Sequence, residues 1–137
     1  MTAIPAQSAY PSIEELVKDW LDVRFATAMV RTELPGGSDG VAPNVPLIRL
    51  ARVGGVDVQR TLDRPIVDIE AFMLTRGGAV AFAARIQVAL LNDLPGARFN
   101  GGYFQSVRTV SGPAWRPWDD LKVRRVGASY EFVLHTQ

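Results

Sequence analysis

From Val123 to Thr136 the chain alternates: Val126, Ala128, Tyr130, Phe132 and Leu134 fall on every second position. Successive side chains of a strand point to opposite faces, so this pattern describes one long strand with a single apolar face. Such a strand constrains the fold more than any other feature here. Its apolar face needs a cover, and its edges need partner strands.

Both are written earlier in the chain. Residues 26–34 alternate, with Ala26, Ala28, Val30 and Thr32 on one face and Thr27, Met29, Arg31 and Glu33 on the other, a first strand. Pro35 to Gly40, followed by Pro43 and Pro46, reads as a loop. Leu47–Val53 is a second strand, broken by Gly54-Gly55, and Val56–Leu62 fits either its continuation or a long hairpin tip. Pro65 excludes a central strand beginning at that residue, so Ile66–Leu74 is the third. Phe104–Ser111 is a fourth and Val123–Thr136 the fifth.

Two helices supply the cover. Ser12-Ile13-Glu14-Glu15 is a capping box, and Ile13, Leu16, Val17, Trp20 and Leu21 continue at helical spacing to about residue 24. Thr75 caps a second helix reaching about Asn92, with Val80, Ala83, Ile86, Gln87, Leu90 and Leu91 on one face. Pro95-Gly96 ends it, and Asn100-Gly101-Gly102 makes a turn. The order α-β-β-β-α-β-β describes an α+β fold: a mainly antiparallel sheet with two helices packed on one face. Residues 1–11 read as a flexible N-terminal arm, and 12–137 as a single domain. One covered face leaves the other face and the edges exposed, and assembly with neighbours is one way to manage them.

Composition narrows the chemistry. At 137 residues without cysteine, the chain needs no disulfide and offers no thiolate nucleophile or metal ligand. The first residues lack the basic and apolar regions of a signal peptide, and no apolar run reaches the roughly 20 residues of a membrane helix. Charge is uneven. Residues 12–39 hold six acids and three bases, a balance of −3; from Arg49 onward twelve bases meet eight acids, a balance of +4. That asymmetry fits a head-to-tail match between identical subunits, a basic surface near DNA, or ordinary solvated charge.

No catalytic constellation emerges. Asp68-x-Glu70 after Arg64-Pro65 has two carboxylates of the kind that hold Mg²⁺ in nucleases, but no lysine follows two residues later, and a solvated strand face is the default reading. His135 is the only histidine and cannot build a multi-histidine metal site. Ser111 and Ser129 lie in no nucleophile elbow. Gly54-Gly55, Gly77-Gly78 and Gly101-Gly102 lack the lysine of a phosphate loop and read as turns. No catalytic, metal or cofactor residue is expected, and the chain reads as a non-enzyme.

Gly112 to Tyr130, GPAWRPWDDLKVRRVGASY, is the most distinctive stretch. Trp115 and Trp118 bracket Pro117, which fixes its own backbone and restricts Arg116. Asp119 and Asp120 follow, then Arg124 and Arg125, able to bridge subunits or to pair within the loop. A stiff aromatic loop of this kind suits docking. So does the polar stretch Arg52, Gly54, Gly55, Asp57, Gln59, Arg60, Asp63 and Arg64, where residues 54–63 are expected to be mobile and to order against a neighbour. These two segments are the candidate assembly interface.

The same residues carry a resemblance. Pro46-Leu-Ile-Arg49-Leu-Ala-Arg52-Val-Gly54-Gly55, Asp63-Arg64-Pro-Ile-Val-Asp68-Ile-Glu70, the alanine-rich second helix, Gly112-Pro113-x-Trp115-x-Pro117-Trp118-Asp119-Asp120 and Arg124-Arg125-x-x-Ala128-Ser129-Tyr130 resemble the tail-terminator (tail-completion) family of long-tailed phages, in the form found in actinobacterial phages. The resemblance runs from about Ser12 to Leu134, and the segment from Gly112 to Tyr130 is its specific part; Trp118 stands where tyrosine is more usual. It implies a six-subunit ring at the head-proximal end of the tail, assembled in the host cytoplasm. Such a ring caps the tail tube protein, stops tube polymerisation and joins a neck protein of the head, with DNA passing through its lumen. It implies no cofactor, no membrane partner and no catalytic residues. Other readings are a neck or head-completion connector, a DNA-binding module using the arginines of residues 49–64, and a small hydrolase.

Overall fold

The computed structural model describes residues 12–36, 40–59, 62–118 and 122–136, with backbone alone at 57–59 and at Thr136. Helix α1 spans Ile13–Arg24, and the Ser12 side chain accepts from the Glu15 N–H at 3.4 Å. Helix α2 spans Arg76–Asn92, where Thr75 accepts from the Gly78 N–H at 3.0 Å. Each cap satisfies an amide that the first helical turn leaves without an intrahelical acceptor.

Among the described residues, six strands form one sheet in the order β1-β2-β3-β6-β5-β4. They are β1 (Met29–Arg31), β2 (Leu47–Gln59), β3 (Leu62–Met73), β4 (Arg98–Phe99), β5 (Gly102–Arg116) and β6 (Arg124–Thr136). All neighbours are antiparallel except β1 and β2, which run parallel. A parallel pair needs a crossover of about a dozen residues or more. The chain between β1 and β2 provides it, and of its described residues, 32–36 and 40–46, the apolar ones pack on the side of the sheet away from the helices. There Leu34, Val41, Ala42 and Val45 pack with Leu47, Phe72, Val123 and Trp118 in a small second cluster.

The main core lies between the helices and the sheet. Val67, Ile69 and Ala71 of β3 and Val126, Ala128, Tyr130, Phe132 and Leu134 of β6 face α1 and α2. Helix α1 contributes Ile13, Leu16, Val17 and Leu21, and α2 contributes Ala79, Phe82, Ala83, Ile86, Ala89 and Leu90. This is the α+β arrangement expected, with both helices on one face. Burial holds the Tyr130 hydroxyl in its neutral form, its pKa pushed up to about 12.

Several details differ from the sequence reading. The α2 face is rotated: Val80 is exposed, and Gln87 donates to Thr109 instead of joining the core. A helix rich in alanine is apolar nearly all round, so spacing alone does not select its buried stripe. The first strand shrinks to three residues, and a two-residue β4 is added. The second strand runs on through Gly54 and Gly55 to Gln59 and pairs antiparallel with the third from Leu62, so the stretch from Val56 takes the strand continuation that was one of its two readings.

Gly55 makes that continuation possible. It sits at φ 100°, just after a register shift between Arg52 and Gly54, and a side chain there would lie 2.6 Å from the Cα of Pro65. Pro65 itself lies inside central β3. The β3–β6 pairing passes from Asp63↔Leu134 to Ile66↔Glu131 with no partner at Pro65, so the missing amide falls in a gap of the ladder.

Candidate functional site

The strand registers place the charged residues. Asp68, Glu70 and Phe72 alternate with the core residues of β3, so they share the face away from the helices. Arg49 of β2 lies directly across from Glu70, Ser129 of β6 across from Asp68, and Arg125 of β6 across from Phe72. Arg116 of β5 lies across from Arg125. Adjacent strands thus deliver three guanidinium groups to two carboxylates.

Glu70 is the centre of this lattice. Its side chain is only 5% exposed, and it meets Arg49 at 3.0 Å, Arg125 at 3.2 Å and Arg116 at 3.5 Å. Arg116 also grips Asp68 with both Nη atoms, at 2.6 and 2.9 Å, and the Ser129 hydroxyl donates to Asp68 at 3.0 Å. Burial opposes the charge on Asp68, but the hydrogen bonds from Arg116 and Ser129 and the charges of Arg116 and Arg49 outweigh it and hold its carboxyl below the usual 3.8. The Arg116 guanidinium is pushed up by its bonds to Asp68. Gly127 lies beneath Arg116: a Cβ there would stand 2.5 Å from the guanidinium carbon. Arg125 further donates to the Pro117 carbonyl at 2.8 Å and stacks over Trp118 at 4.8 Å.

These contacts overturn the solvated-face reading of Asp68-x-Glu70. Both carboxylates are engaged by arginine, and among the described residues no three His, Cys, Asp or Glu side chains lie together as a metal site. The signal was present in the alternation of Arg49 and of Glu70, but only the hairpin register pairs them.

The same face carries more arginine. Register puts Arg31 beside Arg49, Arg98 beside Tyr103, Arg108 opposite Glu131, and Arg64 in line with Asp68 along β3. Arg108 pairs with Glu131 at 3.0 Å, and Arg98 stacks on Tyr103 at 5.0 Å. With Arg49, Arg116 and Arg125, seven arginines meet three acids (Asp68, Glu70, Glu131), an excess of four positive charges among the described strand side chains of this face. His135 is half-buried on this face, with Nε2 against Gln105.

The candidate interface residues divide between the two faces. Arg64, Arg116, Pro117, Trp118 and Arg125 belong to the open face. Arg52 and Asp63 belong to the helix side: Arg52 grips Asp63 at 2.9 and 3.1 Å, and its amide donates to Glu14 of α1 at 2.8 Å. Trp115 is also on the helix side, under Arg76 at 5.0 Å, whereas Trp118 packs edge-on to Phe72 at 5.5 Å. Arg124 points to the helix side of β6 and donates to the Val123 carbonyl at 3.4 Å. Gly54 and Gly55 form the bulge of β2. Arg60, Asp119 and Asp120, and the side chains of Asp57 and Gln59, lie outside the described residues.

Elsewhere, an open groove of about 340 Å³ borders Arg24, Phe25, Ala84, Arg85, Val88 and Ala89. Arg24 is held by Asp93 at 2.7 Å and Arg85 lies over Phe25, so the groove presents no free acid or base for chemistry. Among the described residues no helix is long and apolar enough to cross a membrane.

No protein-family model and no curated protein matches the chain in sequence. Its fold does have a solved counterpart. A chain in the virion of a native gene transfer agent particle superposes with a TM-score of 0.63 and 16% identity, over 90% of this chain and 94% of that one.

Proposed function

We propose that this chain is a structural virion protein, a tail terminator that forms a ring on the end of a phage-type tail tube. In this role the ring ends tube polymerisation, offers the surface that joins a neck protein of the head, and lets DNA pass through its lumen. The observation that carries the reading is the shared fold: it spans nearly the whole of both chains, and its counterpart belongs to a virion particle. The motifs from Pro46 to Tyr130 support the narrower assignment to tail terminators and the six-subunit ring. A non-enzymatic role fits a polar face whose carboxylates are engaged by arginine rather than open to substrate.

The test is electron microscopy of tails assembled with and without this chain. Without it, tubes should grow beyond their normal length and fail to join heads, and added protein should appear as a ring at the head-proximal end. Normal tails in its absence, or the chain at the tail tip, would overturn the reading.

A further inference from the structure

We propose that in the assembled ring helix α1 of one subunit docks on the open sheet face of the next. This rests on the ring reading above and adds which two surfaces meet. The contact joins opposite sides of the molecule, because α1 covers one face of the sheet and the arginines occupy the other. A contact between two different patches is heterologous, and repeated head to tail it closes a ring.

Charge supplies the match. The outer side of α1 carries Glu15, Asp19 and Asp22, with Lys18 alone among them as a cation, held by Asp22 at 2.9 Å. On the open face Arg31, Arg64 and Arg98 are exposed and meet no carboxylate among the described residues. Three cations unpaired among the described residues thus stand against a helix side of net charge −2, Lys18 offsetting one of its three acids.

The sheet edges are poor alternatives. On β2 the Arg52 amide is taken by Glu14 and the strand bulges at once. Beyond β4, β5 shifts register three times and carries Pro113. Bulges and proline are the devices that blunt an edge against added strands. DNA is the rival for a basic surface. Here, however, Arg49, Arg108, Arg116 and Arg125 are already engaged by Asp68, Glu70 and Glu131, which leaves Arg31, Arg64 and Arg98 as separate charges rather than a continuous basic track for a phosphate backbone. A surface that brings its own separate carboxylates to the unpaired arginines fits better, and this chain carries one.

Two charge-reversed chains test the pairing. The first carries Glu15→Lys, Asp19→Lys and Asp22→Lys; the second carries Arg31→Glu, Arg64→Glu and Arg98→Glu. None of these six groups belongs to the lattice around Glu70, and thermal melts establish that each variant folds. Sedimentation velocity is run to about 1 mM protein in about 10 mM salt, where the Debye length is ~30 Å. Wild type should form closed oligomers, each variant alone should lose them, and an equimolar mixture should regain them, because every contact in an alternating ring is then matched. Oligomers retained by both variants, or a mixture that stays monomeric, overturn the pairing and leave the ring standing. A wild-type two-fold dimer overturns the ring reading itself, and a wild-type monomer throughout overturns the pairing. Duplex DNA binding lost only in the arginine variant would identify the face as a nucleic-acid surface and overturn the pairing too.

Discussion

The two faces of this sheet are held by different physics. On the helix side, Val67, Ile69, Ala71, Val126, Ala128, Tyr130, Phe132 and Leu134 are almost wholly removed from water against α1 and α2. On the other side, most of the same strands present arginine and carboxylate, and the buried apolar cluster there gathers around Leu47, Phe72, Val123 and Trp118. Burial of apolar surface is non-directional and scales with area, so the first face provides stability without prescribing a partner. Ion pairs are directional and gain little net stability, because each charge gives up solvation to form them. Their arrangement orients the guanidinium groups on a surface that remains partly open. One face makes the fold, and the other presents a rigid, patterned surface to the outside.

The largest expected effect tests the apolar face. Phe132 is fully buried and stands 6.1 Å from the Phe104 ring centroid. Phe132→Ala should cost about 3–5 kcal/mol, as large-to-small core changes do. Urea titration followed by circular dichroism measures it, and a loss below about 1 kcal/mol would deny that this face carries the stability.

Glu70→Gln tests the polar face. It keeps the shape but removes the charge that three arginines share, so it should cost about 1.5–3 kcal/mol, the range for hydrogen bonds to charged groups. If the difference between the faces is real, Phe132→Ala is the more damaging change. A Glu70→Gln variant as unstable as Phe132→Ala would make the charged lattice a second core.

The two tryptophans sharpen the contrast within one short segment. Trp118 packs on Phe72 inside the small cluster, while Trp115 is 37% exposed beneath Arg76. Trp118→Ala should lower stability by roughly 2 kcal/mol, and Trp115→Ala by less than about 1 kcal/mol. Thermal melts of the two variants decide it. A defect in tail length from a stably folded Trp115→Ala would then report assembly rather than packing.

Much of this division was legible in the sequence, but not its pairings. Alternation in β6 and the caps at Ser12 and Thr75 are local, so both helices and the long strand could be read directly. The spacing of Asp68 and Glu70 also assigned them a common strand face. What engages those side chains depends on register. Arg49 meets Glu70 through the β2–β3 hairpin, and Arg116 reaches Asp68 from β5 across β6. Tryptophans three residues apart looked like one patch, yet Trp115 sits in β5 facing the helices, and the chain leaves the strand before Trp118 reaches the opposite side. Parallel β1 was also hidden, because three residues carry too little pattern to show strand direction.

The smallest effect expected is the response of the polar face to acid. Asp68 keeps its proton off more readily in the folded protein than in the unfolded chain, because Arg116 and Ser129 bind its charged form against the opposing effect of burial. Above the usual carboxylate value of 3.8 both states are ionised, and the whole stabilisation from Asp68 is present. As pH falls below that value the unfolded chain takes up the proton first, so stability declines. The decline ends once the pH has passed the lowered folded-state value and both states are protonated. Asp68 remains partly exposed at 22%, so solvent screens this contribution. Asp68→Asn should therefore be less stable near neutral pH and should lose less stability than wild type between pH 5 and the acid limit. Urea titrations across that range provide the check: parallel pH profiles for the two proteins would show that the Arg116–Asp68 pair adds nothing to folding, and that the open face serves orientation alone.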